Sequence, residues 1–161
     1  MNSNQAKPAS ATGVIPHLVC TGAADAMAFY KRAFGAEEMM RLPTPDGRLM
    51  HACMQIGGGM LMLVDEFPEW GCAHAPAGST SRVVLNLYVA DADATVARAV
   101  EAGAKLVMPV SDMFWGDRYG QIDDPFGHRW AIATHVRDVG PEELKAAAAT
   151  VAAQGCAEAT N

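Results

Sequence analysis

Histidine, asparagine and cysteine side chains supply the candidate chemistry of this 161-residue chain. His17 lies in the apolar run VIPHLVC. It could act as an acid, a base or a hydrogen-bonding group toward a ligand, or it could be a core-edge histidine satisfied by the backbone. Asn86 lies among apolar residues in LNLYV and needs hydrogen-bond partners, from either a ligand or the neighbouring main chain. Both residues are therefore candidate binding residues.

A possible nucleophile and base lie two positions apart in a predicted strand, as His51 and Cys53. Their types match a Cys/His catalytic pair. Side chains two apart on a strand run parallel and several ångströms apart, however, which is poor geometry for proton transfer. We therefore do not predict catalysis by this pair.

An aromatic run, MFWGDRYG at 113–120, is a second candidate binding element. Its large side chains could close over a ligand, or they could plug the mouth of a cleft or contact a second subunit. From this run and from the apolar strands we predict further ligand-binding residues: Met62, Tyr88, Trp115, Arg118 and Tyr119.

The composition limits the partners that the chain can have. The formal net charge is −6 and the pI is about 5.2, which disfavours nucleic acid and anionic membranes as partners and leaves small molecules. The polar N-terminal stretch lacks the apolar segment of a secretory signal, so we expect a cytoplasmic protein. The four cysteines have no CxxC spacing and are predicted to be free thiols.

The elements that position these residues follow from periodicity and turn chemistry. Helical spacing of apolar residues predicts a helix over Ala24–Phe34 that Gly35 ends, followed by three strands separated by the turns PTPDG and GGG. The same plan repeats after residue 82, and FGA at 34–36 matches AGA at 102–104. Two copies of one βαβββ unit explain this match, and chance similarity of two Ala-rich helices is the alternative.

The final hairpin is the most specific motif. Within DRYGQIDDPFGHRWAIAT at 117–134, Pro125 and Gly127 predict a tight turn between two strands. DPFGHRW resembles the turn before the last strand in the glyoxalase, bleomycin-resistance and ring-cleaving dioxygenase superfamily, the vicinal oxygen chelate proteins. The chain looks like its PhnB-like branch, which lacks metal ligands. The run WGDRYG is also similar to that of close relatives, which favours a pocket role.

This resemblance implies an α+β fold of two paired βαβββ modules with curved mixed sheets around a cleft, plus a C-terminal helix. The predicted segments are a tail at 1–13, modules at 14–64 and 82–134, a linker loop at 65–81 and a helix at 141–155. The resemblance also implies a homodimer, because modules commonly pair across subunits in this family. Aromatic residues predicted to be exposed in loops, Trp70, Phe114 and Trp115, would also need cover.

In metal-dependent members of the family, four side chains, typically His, Gln or Glu, hold one ion. When the glycines after the helices and the DPFG turn are aligned, these positions fall on Ile15, Met62, Val84 and Ala131. One thioether and three hydrocarbon side chains offer no donor set for a divalent ion. We therefore predict neither a metal nor another cofactor.

Two main functions remain, and a structural or regulatory protein with a plugged cleft is a third alternative. The first is a protein that binds a small aromatic or amphipathic molecule in an apolar cleft without metal. The alternative is a glyoxalase-type isomerase or lyase that uses a metal or His17. The expected partners are a small-molecule ligand and a second copy of the chain, with neither nucleic acid nor membrane.

Overall fold

The computed structural model describes residues 13–73 and 82–158, and the side chains as far as residue 153. These residues form eight strands, three helices and a short 3-10 turn at Pro68–Trp70. The elements are β1 (His17–Cys20), α1 (Ala23–Phe34), β2 (Glu37–Pro43), β3 (Leu49–Ile56), β4 (Gly59–Asp65), β5 (Val84–Tyr88), α2 (Ala92–Glu101), β6 (Lys105–Asp112), β7 (Asp117–Asp123), β8 (Arg129–His135) and α3 (Pro141–Glu158). The predicted tail up to residue 12 and residues 74–81 of the predicted linker lie outside the described residues.

The strands form two four-stranded mixed sheets, with strand orders β1-β4-β3-β2 and β5-β8-β7-β6. In each sheet the first strand of the module pairs parallel with the last, and the other neighbours are antiparallel. The register also repeats, because His17 lies beside Met62 in the first sheet as Asn86 lies beside Ala131 in the second. The predicted α+β fold of two βαβββ modules with a C-terminal helix is confirmed.

Helix α1 is fixed at both ends. The backbone amides of Gly22 and Ala23 donate to Asp65 Oδ1 at 3.0 and 2.7 Å, which satisfies donors that the first helical turn leaves free. The other oxygen of Asp65 accepts from the backbone of Leu49 at 2.6 Å. Gly35 ends the helix with a φ of 68°, a left-handed conformation that glycine adopts without strain. The buried carboxylate thus anchors the start of α1 on β3 and β4.

Helix α2 begins in a similar way. The backbone amide of Ala92 donates to Thr134 Oγ1 at 2.8 Å, and that of Ala94 donates to the side chain of Asp91 at 2.9 Å. Thr134, near the end of β8, therefore has the role that Asp65 has at the end of β4. The repeat extends from the helices to the groups that cap them.

The two modules share one hydrophobic core, which contains both helices and the inner faces of both sheets. Helices α1 and α2 pack against each other. Phe34 of α1 contacts Trp130 of β8 with a distance of 4.8 Å between ring centroids. The hydroxyl of Tyr30 in α1 donates to Asp124 Oδ2 at 2.7 Å, and the indole N–H of Trp130 donates to the same oxygen at 3.0 Å. The Tyr30–Asp124 hydrogen bond therefore joins the two modules in addition to apolar packing, and Trp130 shares its acceptor.

Each sheet also has an outer face, turned away from these helices, because side chains alternate along a strand. In β4, Leu61 and Leu63 are buried in the core, so Met62 between them lies on the outer face. In β5, Leu87 is buried whereas its neighbour Tyr88 is 56% exposed. Two candidate binding residues, Met62 and Tyr88, thus lie on the outer faces.

Helix α3 stands apart from this plan, and its described side chains are almost all exposed. Glu142 and Glu143 lie in its first turn, where acidic side chains favour the positive end of the helix dipole. The predicted end at Gly155 was wrong, since the helix continues to Glu158. The high helix propensity of the Ala-rich run outweighs the cost of one glycine. In the described parts of the chain no helix has the length and apolar character needed to cross a membrane.

Two strand starts position the candidate site. Strand β1 begins at His17, within the apolar run VIPHLVC, because Pro16 has no N–H to donate to a ladder. Strand β7 begins at Asp117, as the predicted hairpin at 117–134 indicated, so the end of the aromatic run is part of the sheet. The start of β7 decides which of the predicted site residues can meet.

Candidate functional site

A cavity of about 530 Å³, called here the junction cavity, lies where the two modules meet. Its lining comes from residues 14–16 before β1, from the β3–β4 turn between Ile56 and Leu61, from β5 and from Trp130. The turn lies close to β5, since a Cβ on Gly57 would be 2.6 Å from Leu87 Cδ1. Most of the lining side chains are apolar, and Asn86 and Tyr88 add polar groups, a combination that is usual in small-molecule pockets.

Asn86, a predicted binding residue, lines the junction cavity from β5. It lies between Leu85 and Leu87 in the chain and beside Ala131 in the sheet. Its side-chain amide makes no hydrogen bond to any residue that the structure describes. An amide has two N–H donors and a carbonyl acceptor. Asn86 can therefore offer hydrogen bonds to a molecule in an otherwise apolar space.

Tyr88, also predicted, lines the same cavity and links it to a polar network. Its hydroxyl donates to Asp117 Oδ2 at 2.7 Å, although the residue is 56% exposed. This hydrogen bond to the carboxylate raises the pKa of Tyr88. The Tyr88 ring is thus held in place by a charged acceptor.

Asp117 and His135 belong to this site, and the sequence analysis missed them. Asp117 is buried, and its Oδ1 lies 2.9 Å from His135 Nδ1. Burial alone would raise the pKa of Asp117, but hydrogen bonds from His135 and Tyr88 hold it below its ordinary value. Asp117, and to a lesser degree Asp138, raise the pKa of His135. An ionised carboxylate therefore faces a readily protonated imidazole.

The hairpin itself carries the signal that would have revealed this pair. Asp123 lies opposite Arg129 beside the DPFG turn, and counting outward along both strands places Asp117 opposite His135. An acid and a histidine at equal distances from a tight turn are direct cross-strand neighbours.

Trp115 and Tyr119 also meet on the second sheet. Their rings are edge to face, with centroids 5.5 Å apart, and Gln121 Nε2 donates to the Tyr119 hydroxyl at 2.8 Å. Trp115 and Phe114 are half-buried and pack edge to face with centroids 5.0 Å apart, so their predicted exposure was wrong. Trp115 is therefore held by ring contacts with Phe114 and Tyr119.

Arg118 does not join these aromatic residues. Consecutive residues of β7 point to opposite faces, so Arg118 lies on the helix side when Tyr119 lies on the outer face. There its guanidinium is paired with Asp93 of α2 at 2.8 Å and with Asp112 at 3.0 Å. The expected grouping of Arg118 with Tyr119 is therefore not found.

His17 and Met62 lie side by side on the outer face of the first sheet, away from the lining of the junction cavity. The His17 ring meets that of His51 edge to face, with centroids 5.5 Å apart. Burial, and secondly His51, lower the pKa of His17. His17 is thus a neutral imidazole at pH 7, beside a second histidine.

His51 Nε2 lies 3.3 Å from Cys53 Sγ, so the expectation that these groups are too far apart was wrong. Side chains on a strand can lean along the strand direction, and the imidazole of His51 leans toward the thiol in this way. The expected separation assumed that both side chains stand perpendicular to the sheet. Burial raises the pKa of the Cys53 thiol, however. A protonated, buried thiol is a weak nucleophile, so the pair still lacks the character of a catalytic dyad.

The positions that the family resemblance gives to metal ligands do not fit an ion. Ile15 and Val84 line the junction cavity, while Met62 lies in β4 and Ala131 in β8. Hydrocarbon side chains and one thioether supply no charged or nitrogen donor. Among the described residues, no cluster of three or more His, Cys, Asp or Glu side chains is placed to hold a metal.

Comparison with known proteins places these features in one family. The profile described as the Glyoxalase/Bleomycin resistance protein/Dioxygenase superfamily matches residues 14–132, which span both sheets almost completely. An uncharacterized protein of Mycobacterium bovis, Mb0911c, is 46% identical over 136 residues, which cover 82% of this chain and 89% of the relative.

Solved structures agree. TioX from Micromonospora sp. ML1 matches with a TM-score of 0.62 and 28% identity, over 78% of this chain and 100% of TioX. The PhnB protein from Bacillus cereus matches with a TM-score of 0.60 over 76% of this chain and 99% of its own, and its 17% identity shows the shared fold alone. This chain belongs to the Glyoxalase/Bleomycin resistance protein/Dioxygenase superfamily.

Proposed function

We propose that this chain binds a small aromatic or amphipathic molecule in the junction cavity without using a metal. The observation that carries the proposal is an apolar space of about 530 Å³ beside the uncommitted amide of Asn86. Ligand pockets generally measure about 300–1,000 Å³ and combine apolar walls with a few polar groups. A ligand with one ring or chain and one hydrogen-bonding group matches both properties.

Binding would draw on two kinds of contact. Apolar side chains such as Ile15, Met60 and Val84 supply the surface that a hydrophobic group would bury, worth roughly 25 cal/mol per Å² removed from water. Met60 also has a flexible thioether chain that can adjust to the shape of a ligand. Asn86 would then fix the orientation of the polar group.

A homodimer is part of the proposal, because large apolar side chains remain exposed on the sheets. Val84 is 44% exposed and Tyr88 56%, both at the junction cavity, and Met40 and Leu42 on β2 are nearly half exposed. A second copy packed on these surfaces would bury them. It would also cover the cavity from outside, which would strengthen ligand binding.

The proposed location is the cytoplasm. Cys20, Cys53 and Cys72 are free thiols. Free thiols persist in reducing compartments, whereas secreted domains commonly pair theirs.

Fluorescence titration with 1-anilinonaphthalene-8-sulfonate, an amphipathic aromatic dye, tests the binding site. Val84→Asp should weaken binding at least tenfold, because it places a carboxylate in the cavity wall. Val107→Asp is the matched control, since Val107 is 37% exposed on β6 and does not line the cavity. Asn86→Ala should weaken binding about two- to tenfold, as expected for one lost hydrogen bond, whereas Gln55→Ala, a change at an exposed amide elsewhere, should not.

The two pairs of variants distinguish dye binding in the junction cavity from nonspecific dye adsorption elsewhere on the protein. Failure of the wild-type protein to bind the dye would contradict the proposal. Equal affinities for Val84→Asp and Val107→Asp would contradict it as well, because the dye would then be bound elsewhere.

A further inference from the structure

A chain of hydrogen bonds runs from the wall of the junction cavity to the protein surface. Tyr88 lines the cavity and donates its hydroxyl to Asp117 Oδ2 at 2.7 Å. Asp117 Oδ1 lies 2.9 Å from His135 Nδ1, and His135 Nε2 lies 3.1 Å from Asp138 Oδ1. The Asp117 side chain is 7% exposed, whereas that of His135 is 53% exposed. Solvent protons therefore reach one end of this chain, and a ligand would touch the other.

The Asp117 carboxylate relies on the imidazole of His135 for its counter-charge. The titratable and charged side chains that face the carboxylate or that imidazole are Tyr88, Asp112, His135, Arg137 and Asp138. Asp112 is already paired with Arg118 at 3.0 Å. Arg137 is already paired with Glu143 at 2.8 Å. Among the described residues, the imidazole is thus the cationic group in contact with Asp117.

We propose that Asp117 and His135 are positioning residues that hold the Tyr88 ring in the cavity wall, so that ligand affinity depends on the protonation of His135. The inference rests on the proposed function, because a ligand must occupy the junction cavity for its wall to matter. A charge-assisted hydrogen bond is roughly twice as strong as a neutral one. Loss of the imidazolium leaves a buried carboxylate without its counter-charge, which favours movement of Asp117 toward water and releases Tyr88.

The direction of the pH effect follows from the two pKa shifts. Asp117, and secondly Asp138, raise the pKa of His135, so its stabilising charge is present below the ordinary value of about 6.5 and is lost as pH rises through the raised value. The pKa of Asp117 is lowered, so the carboxylate stays ionised over this range. Ligand affinity should therefore be higher at pH 6 than at pH 9.

The test is a titration of 1-anilinonaphthalene-8-sulfonate at pH 6 and pH 9. We expect wild-type affinity to fall about three- to tenfold between the two pH values, which is roughly 0.5 to 1 unit in the logarithm of the binding constant. His135→Gln keeps a hydrogen-bond donor but cannot gain a proton, and Tyr88→Phe breaks the link to Asp117, so both should bind with little pH dependence. His51→Gln changes a histidine on the other sheet and should keep the wild-type profile.

Each outcome decides the question. A wild-type profile that is flat, or that persists unchanged in His135→Gln and Tyr88→Phe, overturns the positioning role while leaving the proposed function intact. Absence of dye binding at both pH values overturns the proposed function and this inference together. Thermal melting at pH 6 checks that His135→Gln is folded, and if it is not, the exposed Tyr88→Phe change decides alone.

Discussion

Replacing Tyr30 by Phe should destabilise the protein by breaking the hydrogen bond that joins the two modules. Tyr30 is fully buried in α1, and its hydroxyl donates to Asp124 Oδ2 at 2.7 Å. Phe keeps the ring and its contacts with Phe34 and Trp130 but removes the donor. The loss should therefore reflect one hydrogen bond to a buried carboxylate.

The magnitude follows from burial and charge. A hydrogen bond to a charged group contributes about 1.5–3 kcal/mol, and no water can replace the Tyr30 hydroxyl in a fully buried site. Asp124 keeps hydrogen bonds from Trp130 and from the backbone of Phe126 and His128, so its charge is not left unpaired. For a protein of this size, about 2–4 °C per kcal/mol converts the loss to roughly 3–12 °C in Tm.

Urea and thermal unfolding, followed by circular dichroism, measure this loss, and the chain offers a matched control. Tyr88→Phe removes a hydroxyl that also donates to an aspartate at 2.7 Å, but Tyr88 is 56% exposed. Water can replace that hydroxyl, so its loss should stay below about 1 kcal/mol. Equal losses of stability in Tyr30→Phe and Tyr88→Phe would contradict this prediction, because burial would then not determine how much the hydrogen bond contributes.

The pH dependence gives a second check on Tyr30→Phe. Burial alone would raise the pKa of Asp124, but hydrogen bonds from His128 and Tyr30 hold it below its ordinary value. A lowered carboxyl pKa gives stability that is present above the unfolded value of about 3.9 and is lost as pH falls through the folded value. The difference between wild type and variant should therefore shrink as pH falls below the unfolded value and Asp124 becomes protonated in the folded protein. A difference that stays constant after Asp124 has been protonated would show that the charge of the acceptor does not set the value.

Two further predictions concern the metal and the oligomer. Purified protein should contain far less than one equivalent of Zn, Ni, Fe or Mn, and EDTA should leave Tm unchanged, because Ile15, Met62, Val84 and Ala131 give an ion no donors. A stoichiometric metal, removable by EDTA and required for activity, would contradict this. Light scattering at micromolar concentration should give the mass of two chains of 17.0 kDa each, and a purely monomeric species would rule the dimer out.

The fold could be predicted because local chemistry and overall topology agree. Gly35 ends α1 with a positive φ, and Gly127 has a φ of 91° in the hairpin turn, as their positions in the sequence indicated. Because these glycines fix where helices and turns end, few topologies are possible for the strands between them. The predicted end of α3 at Gly155 was wrong, because helix propensity alone determines where this exposed helix ends. A single glycine among good helix formers is not enough to end it.

The site was harder to predict because it depends on where strands begin. Tyr119 and Arg118 could both face a ligand if they lay in a loop, but β7 starts at Asp117 and sends them to opposite faces. The same start places Asp117 opposite His135. The strand register thus separates Arg118 from Tyr119 and brings together Asp117 and His135, which the sequence analysis had not singled out.

The junction cavity lay further beyond sequence reasoning, because four separate segments from two modules build it. Yet two of its lining residues, Ile15 and Val84, had been singled out as positions where metal-dependent relatives would carry ligands. The same places in the fold that could converge on an ion here carry hydrocarbon side chains around an apolar space. Hydrocarbon walls favour burial of an apolar ligand and disfavour a dehydrated cation. Two of the four positions, Ile15 and Val84, thus form part of the apolar cavity wall, which supports the proposed binding of an apolar ligand without chelation.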